Sequence, residues 1–228
     1  MKFRISLAVL GLFCIMFIAS SCNPRKQENQ GDGKIISLSG DVFVDGQKAE
    51  QNSSVKPGAR IKTGSNSSCE IVFSDKSIIK FYENSEAAVD LSSPSKSLNL
   101  FSGAVASVVK HLGKIAADRE YNYTVTTPTS VAGIRGTSFL VKAEDENKTD
   151  ICVCNGVVDL KDSEGKNRNI VEAAHHKGLR FARDEKGIHF SEIHLSESEE
   201  PDHDEEMERI AKKVNVRIDW TKADKESE

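Results

Sequence analysis

From Lys34 onward the apolar residues come in short alternating runs separated by glycines and polar turns. Ile36 and Leu38 lead to Val42 and Val44, punctuated by Gly40 and Gly46, and Ala59-Arg60-Ile61-Lys62-Thr63 alternates again before Gly64. Cys69-Glu70-Ile71-Val72-Phe73 runs into the turn Ser74-Asp75-Lys76-Ser77 and returns as Ile78-Ile79-Lys80-Phe81. Alternation puts every second side chain on one face, the mark of half-buried strands. So many short runs predict an all-β domain of stacked hairpins, either a sandwich or an irregular solenoid. Leu98, Phe101, Val105, Val108 and Leu112 also fall near helical spacing, but Gly103 and the valines favour strand there.

A weak repeat accompanies the strands. Gly40-Asp41-Val42, Gly103-Ala104-Val105 and Gly156-Val157-Val158 each set a glycine before β-branched alternation. The glycine supplies a bend that a side chain would obstruct. Separations of 63 and 53 residues are too uneven for a propeller or a regular solenoid.

Both ends of the chain break this pattern. Between Asp202 and Val214, acids come first, Arg209, Lys212 and Lys213 come late, and Met207, Ile210, Ala211 and Val214 share one face. This predicts a helix that docks on the β-domain, since it is too short to stand alone. Val216, Ile218 and Trp220 then alternate briefly. At the other end Lys2 and Arg4 precede an apolar run, Ile5 to Ala19, and Ser20-Ser21-Cys22. That order is a secretory signal, and the run falls short of the roughly 20 apolar residues of a membrane span. Ser21-Cys22 resembles the cleavage site of bacterial lipoproteins, with Ala19 where leucine is usual. The resemblance implies cleavage between Ser21 and Cys22 and lipid on the Cys22 thiol. Several acyl chains would then anchor the protein in the membrane. The expected organisation is a signal over 1–21, a disordered tether over 22–33, a β-domain over 34–183, and a charged extension over 184–228 with a helix near 202–214.

Without residues 1–21 the chain carries 29 basic and 35 acidic residues, which excludes a nucleic-acid binder's balance. One Trp and three Tyr give no broad stacking platform. Of the five cysteines, Cys69 could pair with Cys152 or Cys154 in an oxidising envelope, or all three could be half-buried strand residues.

The most specific stretch is Thr126-Thr127-Pro128-Thr129-Ser130-Val131-Ala132-Gly133-Ile134-Arg135-Gly136-Thr137-Ser138-Phe139, followed by Ile151-Cys152-Val153-Cys154-Asn155-Gly156-Val157. Together with Gly40-Asp41-Val42, Pro57-Gly58-Ala59-Arg60-Ile61-Lys62-Thr63-Gly64 and Ile71-Val72-Phe73-Ser74-Asp75, it resembles the FecR family over about Lys34 to Leu160. Two positions depart from that pattern: Lys76 stands at a turn position often held by glycine, and Cys154 where an aliphatic residue is usual. Residue chemistry gives the motif a structural meaning. Pro128 biases Thr127 to an extended shape, Gly133 and Gly136 permit a sharp turn, and Thr137 begins the next strand, as Gly156 does for its own. Arg135 has five donors suited to locking the bend, or, if exposed, to meeting an anion or a partner; the lock is the favoured reading.

No serine-hydrolase elbow, zinc-protease helix motif, phosphate loop or dinucleotide fingerprint occurs, so no catalytic residue and no cofactor is predicted. Cys152 and Cys154 share a strand face but lack a second Cys or His pair nearby in sequence. His175-His176, His189, His194 and the Asp202-to-Glu206 acids are scattered, and acids opening a helix are expected to be solvated. No metal site is therefore predicted. The expected function is a non-enzymatic, lipid-anchored envelope protein, in the outer membrane by analogy with lipoproteins carrying Asn23 after the cysteine. It would bind a protein or an envelope component. The family resemblance implies the alternative, a regulator of an extracytoplasmic sigma factor. Only Met1 to Arg4 precede the apolar run, so direct control of a cytoplasmic factor is not expected.

Overall fold

A computed structural model gives the fold and describes residues 33–73, 76–90, 96–110, 123–194 and 200–223, the side chains of 200–202 excepted. The signal, Cys22 and nearly all of the tether lie outside the described residues. Strands follow one another as the alternation predicts. They are β1 (Gly33–Ser39), β2 (Val42–Val44), β3 (Gln47–Lys48), β4 (Ser54–Val55), β5 (Ala59–Thr63), β6 (Ser68–Val72), β7 (Ile78–Phe81) and β8 (Glu86–Asp90). Longer strands come next: β9 (Lys96–Val108), the short β10 (Tyr123–Thr126), β11 (Ser130–Asp145) and β12 (Lys148–Asp162). Then come β13 (Arg168–Ala173), β14 (Lys177–Asp184), β15 (Gly187–Ile193) and the helix α1 (Glu200–Lys213). The region 96–108, ambiguous in periodicity, is strand.

Among the described residues fifteen strands form one mixed sheet, which folds over without closing into a barrel. The long strands make the fold-over. Residues 96–102 of β9 lie beside β8 and β10, whereas 103–108 lie beside β7 and β11. Likewise β11 pairs with β10 over 131–134 and with β9 over 138–143, and β12 passes from β14 to β13 between Val153 and Gly156. Each long strand thus serves two layers, the usual way a sandwich turns its corners. The turning points are Gly103, Gly136 and Gly156, all at positive φ (84°, 54° and 123°). At Gly156 a Cβ would stand 2.8 Å from Thr137 Oγ1. Two of the three repeat glycines are therefore corner residues, which explains their uneven spacing: they mark strand crossings, not equal units.

Between the layers lies the main core, with Phe81, Tyr123, Phe139 and Phe181 fully buried among β-branched residues. A second apolar cluster occupies the outer face of one layer, formed by Ile78, Ala106, Val108, Cys152 and Cys154. Helix α1 covers it with Met207, Ile210, Ala211 and Val214, at the spacing of one helical face. Val216, Ile218 and Trp220 extend that cover. Ion pairs clamp the helix at its sides. Glu70, nearly buried on β6, is held by Arg209 at 2.7 Å and by Lys213, and Glu206 is held by Arg209 and by Lys80 of β7. A buried carboxylate is tolerable only with such partners, so the sheet face and the helix specify each other.

Candidate functional site

The threonine-proline motif forms the β10–β11 turn, and its hydroxyls are bonded inside the fold. Thr127 Oγ1 accepts from the Ser130 N–H at 2.9 Å and lies 2.8 Å from Ser130 Oγ, while Thr129 donates to Thr149 Oγ1 at 2.8 Å. The Pro128 carbonyl accepts from Ser163 Oγ and from Arg183. Thr137 donates to the Val157 carbonyl at 3.0 Å, closing the corner beside Gly156. Gly133 pairs with Asp159, and Arg135 is exposed opposite Val157 at the bend. A neighbouring carboxylate, Asp162, accepts three backbone N–H groups across the β12–β13 turn; although burial opposes it, these bonds lower its pKa.

The three described cysteines are free and buried. Cys69 faces the core between the layers, whereas Cys152 and Cys154 face outward under α1. Sheet backbone separates them, so Cys69 is not the partner of either. Burial and the adjacent Glu70 push the Cys69 thiol up to about 12, leaving it inert.

Around Cys152 the chain assembles a group that sequence spacing conceals. The β13–β14 turn carries His175 and His176, and the first turns of α1 carry His203 and Asp204. His176 donates its backbone N–H to the Cys154 carbonyl, which fixes the turn over β12. Its ring then bridges two partners: Nδ1 lies 3.3 Å from Cys152 Sγ and Nε2 lies 2.7 Å from Asp204 Oδ1. A carboxylate can only accept, so Nε2 bears a hydrogen, and Nδ1 faces the sulfur. His175 Nε2 reaches the other Asp204 oxygen at 2.9 Å. Cys154 Sγ sits 3.7 Å from Cys152 Sγ. One donor atom each of Cys152, His176 and His203 lies within 4.8 Å of the others. Trp220 closes the group, its ring centre 5.3 Å from that of His175 and 5.6 Å from that of His176.

The electrostatics follow from this geometry. The Cys154 S–H and the neighbouring imidazoles hold the Cys152 thiol well below its usual range, against the cost of burial. Cys154, donor to that sulfur and fully buried, is raised. Burial opposes protonation of His176, but contacts with Cys152 and Asp204 outweigh it and raise the ring. Asp204 is lowered by the two histidines despite its partial burial. A thiol, imidazole and carboxylate in series is a nucleophile's arrangement, but here the sulfur lies beneath the helix, shielded from any incoming substrate. One thiol and two imidazoles whose donor atoms lie within 4.8 Å of one another, with a second thiol 3.7 Å from the first, are also a soft-metal donor set. No metal site is expected from the sequence, in which no second ligand pair stands beside the cysteines. The fold supplies that pair from a turn and a helix distant in sequence. His189 instead pairs with Asp184 on the β14–β15 hairpin, away from this group.

Residues 59–159, from the start of β5 almost to the end of β12, match the family described as FecR protein. This segment of the chain is a FecR domain, as its motifs suggest. Curated proteins give no sequence match. Two crystal structures of a provisionally assigned anti-sigma factor from Parabacteroides distasonis resemble the fold, each with a TM-score of 0.49. One is 13% identical, covering 61% of this chain and 62% of its own; the other is 14% identical, covering 70% and 80%. Among the described residues no helix is long and apolar enough to cross a membrane.

Proposed function

We propose that the protein is a non-enzymatic regulator of the cell envelope, in which the FecR domain receives a protein partner and relays its state. The family match over β5–β12 carries this reading and favours it over a general binding module. The architecture supports it. The sheet is open, so β15 and β13 offer strand edges to which an extended segment of a partner can add. Phe190 and Ile170 on those strands are large apolar side chains left exposed, the kind of anchor such an addition uses. In the same reading Cys22 carries lipid, residues 22–33 are the tether, and the signal ends at Ser21. A lipid-anchored domain exerts control through another envelope protein, and a sigma factor lies at the end of that chain of contacts.

Photocrosslinking from positions 170 and 190 in the native envelope tests the reading. A discrete protein adduct that is lost on substitution of β15 edge residues supports it. Adducts only to lipid or glycan favour the general binding module. Replacing Cys22 by Ala, with mass analysis of the membrane fraction, tests the anchor separately.

A further inference from the structure

We propose that Cys152, Cys154, His176 and His203 form a zinc-binding site, with Asp204 as the outer partner that orients His176. This inference is independent of the regulatory role.

The donor atoms of Cys152, His176 and His203 lie within 4.8 Å of one another, and Cys154 stands beside Cys152, at spacings a small tetrahedral ion uses. Zinc–sulfur bonds of about 2.3 Å set two tetrahedral sulfurs about 3.8 Å apart, and one sulfur and one nitrogen about 3.5 Å apart. The sulfurs of Cys152 and Cys154 are 3.7 Å apart, and Cys152 Sγ is 3.3 Å from His176 Nδ1. His203 completes the set from the helix side. Its Nδ1 is buried yet makes no hydrogen bond among the described residues, a cost that a neutral imidazole normally avoids. A carboxylate behind the non-ligating nitrogen, as Asp204 stands behind His176 at 2.7 Å, is the usual support of a metal-bound histidine. It fixes the ring so that Nδ1 faces inward. Thiolate and imidazole donors select zinc-class ions over calcium or magnesium, which prefer oxygen. Binding displaces the thiol protons to solvent, leaving two thiolates to balance the charge of the ion. Because the ligands come from β12, the β13–β14 turn and α1, the ion also ties the helix to the sheet.

The test uses reduced, chelator-stripped full-length protein. Equilibrium dialysis with metal analysis is expected to find one zinc per chain. Cobalt substitution should give thiolate-to-cobalt charge-transfer absorption and the intense visible bands of a tetrahedral site. Trp220 is the only tryptophan and sits over both imidazoles, so its fluorescence should titrate with the same stoichiometry. Asp204→Asn should weaken zinc binding about 10- to 100-fold, as loss of an outer partner does elsewhere. His203→Gln and Cys152→Ser should weaken it further and remove the corresponding spectroscopic features. If Cys152→Ser fails to fold, His203→Gln, on the helix, carries the comparison. Absence of zinc and of charge-transfer absorption in the reduced wild type would overturn the proposal. So would equal zinc binding by all variants, preferential binding of calcium, or isolation from cells as a Cys152–Cys154 disulfide without metal.

Discussion

Truncating Ile210 to alanine isolates what holds α1 to the sheet. The side chain is fully buried in the outer apolar cluster, between Met207 and Val214 on the helix and β-strand residues below. The change removes three carbons, which at about 0.8 kcal/mol each amounts to ~2.4 kcal/mol of lost transfer free energy. Incomplete collapse of the cavity brings the total to about 2.5–4 kcal/mol. The strands keep their own core between the layers, so the loss falls on docking of the helix rather than on global unfolding. At one factor of ten per 1.36 kcal/mol, amide exchange in α1 should accelerate roughly 70- to 900-fold, or to the undocked limit if docking is weaker than that. Exchange in β11 and β12 should change little. Hydrogen exchange with mass spectrometry on chelator-treated protein reads both regions in one experiment. Unchanged protection of α1, or equal acceleration in β11 and β12, would show that the helix does not rest on this apolar face.

Acid should loosen the same contact. Burial opposes ionisation of Glu206, but hydrogen bonds from Arg209 and Lys80 lower its pKa to about 2, so its contribution is complete above the ordinary carboxylate range and lost as pH falls towards 2. Discounted for solvent exposure, it is worth about 1–2 kcal/mol, and Glu206→Gln should remove that acid sensitivity from α1 exchange. Gly156→Ala should lower stability by about 1–3 kcal/mol, because φ is +123° and the added Cβ meets Thr137; a reduced urea midpoint at unchanged slope is the expected reading. Lys76 occupies the left-handed region at φ +66°, so Lys76→Gly should raise stability by about 0.5–1 kcal/mol, read as a higher urea midpoint, despite the added freedom of the unfolded chain.

Much of the fold is legible along the chain. Alternation locates the strands because one face is buried and the other is not. The helix is legible because Met207, Ile210, Ala211 and Val214 return at helical spacing with basic residues at its end. Gly103 and Gly156 announce bends because the strand corner takes a positive φ, which glycine adopts with least strain, and a Cβ there would strike Ser85 or Thr137. Lys76, where the FecR pattern often has glycine, does adopt such a φ. What local pattern could not supply is which strands the long ones cross between, since that depends on hydrogen-bond partners far away in sequence. The candidate site shows the same division. Cys152 and Cys154 fall on one face by alternation alone. Only the packing of α1 and the β13–β14 turn over that face brings them His176, from 24 residues away, and His203 from the helix. Periodicity encodes which way a side chain points, whereas the identity of the group it meets is fixed by tertiary contacts, here the burial of one helix face against one side of a folded sheet.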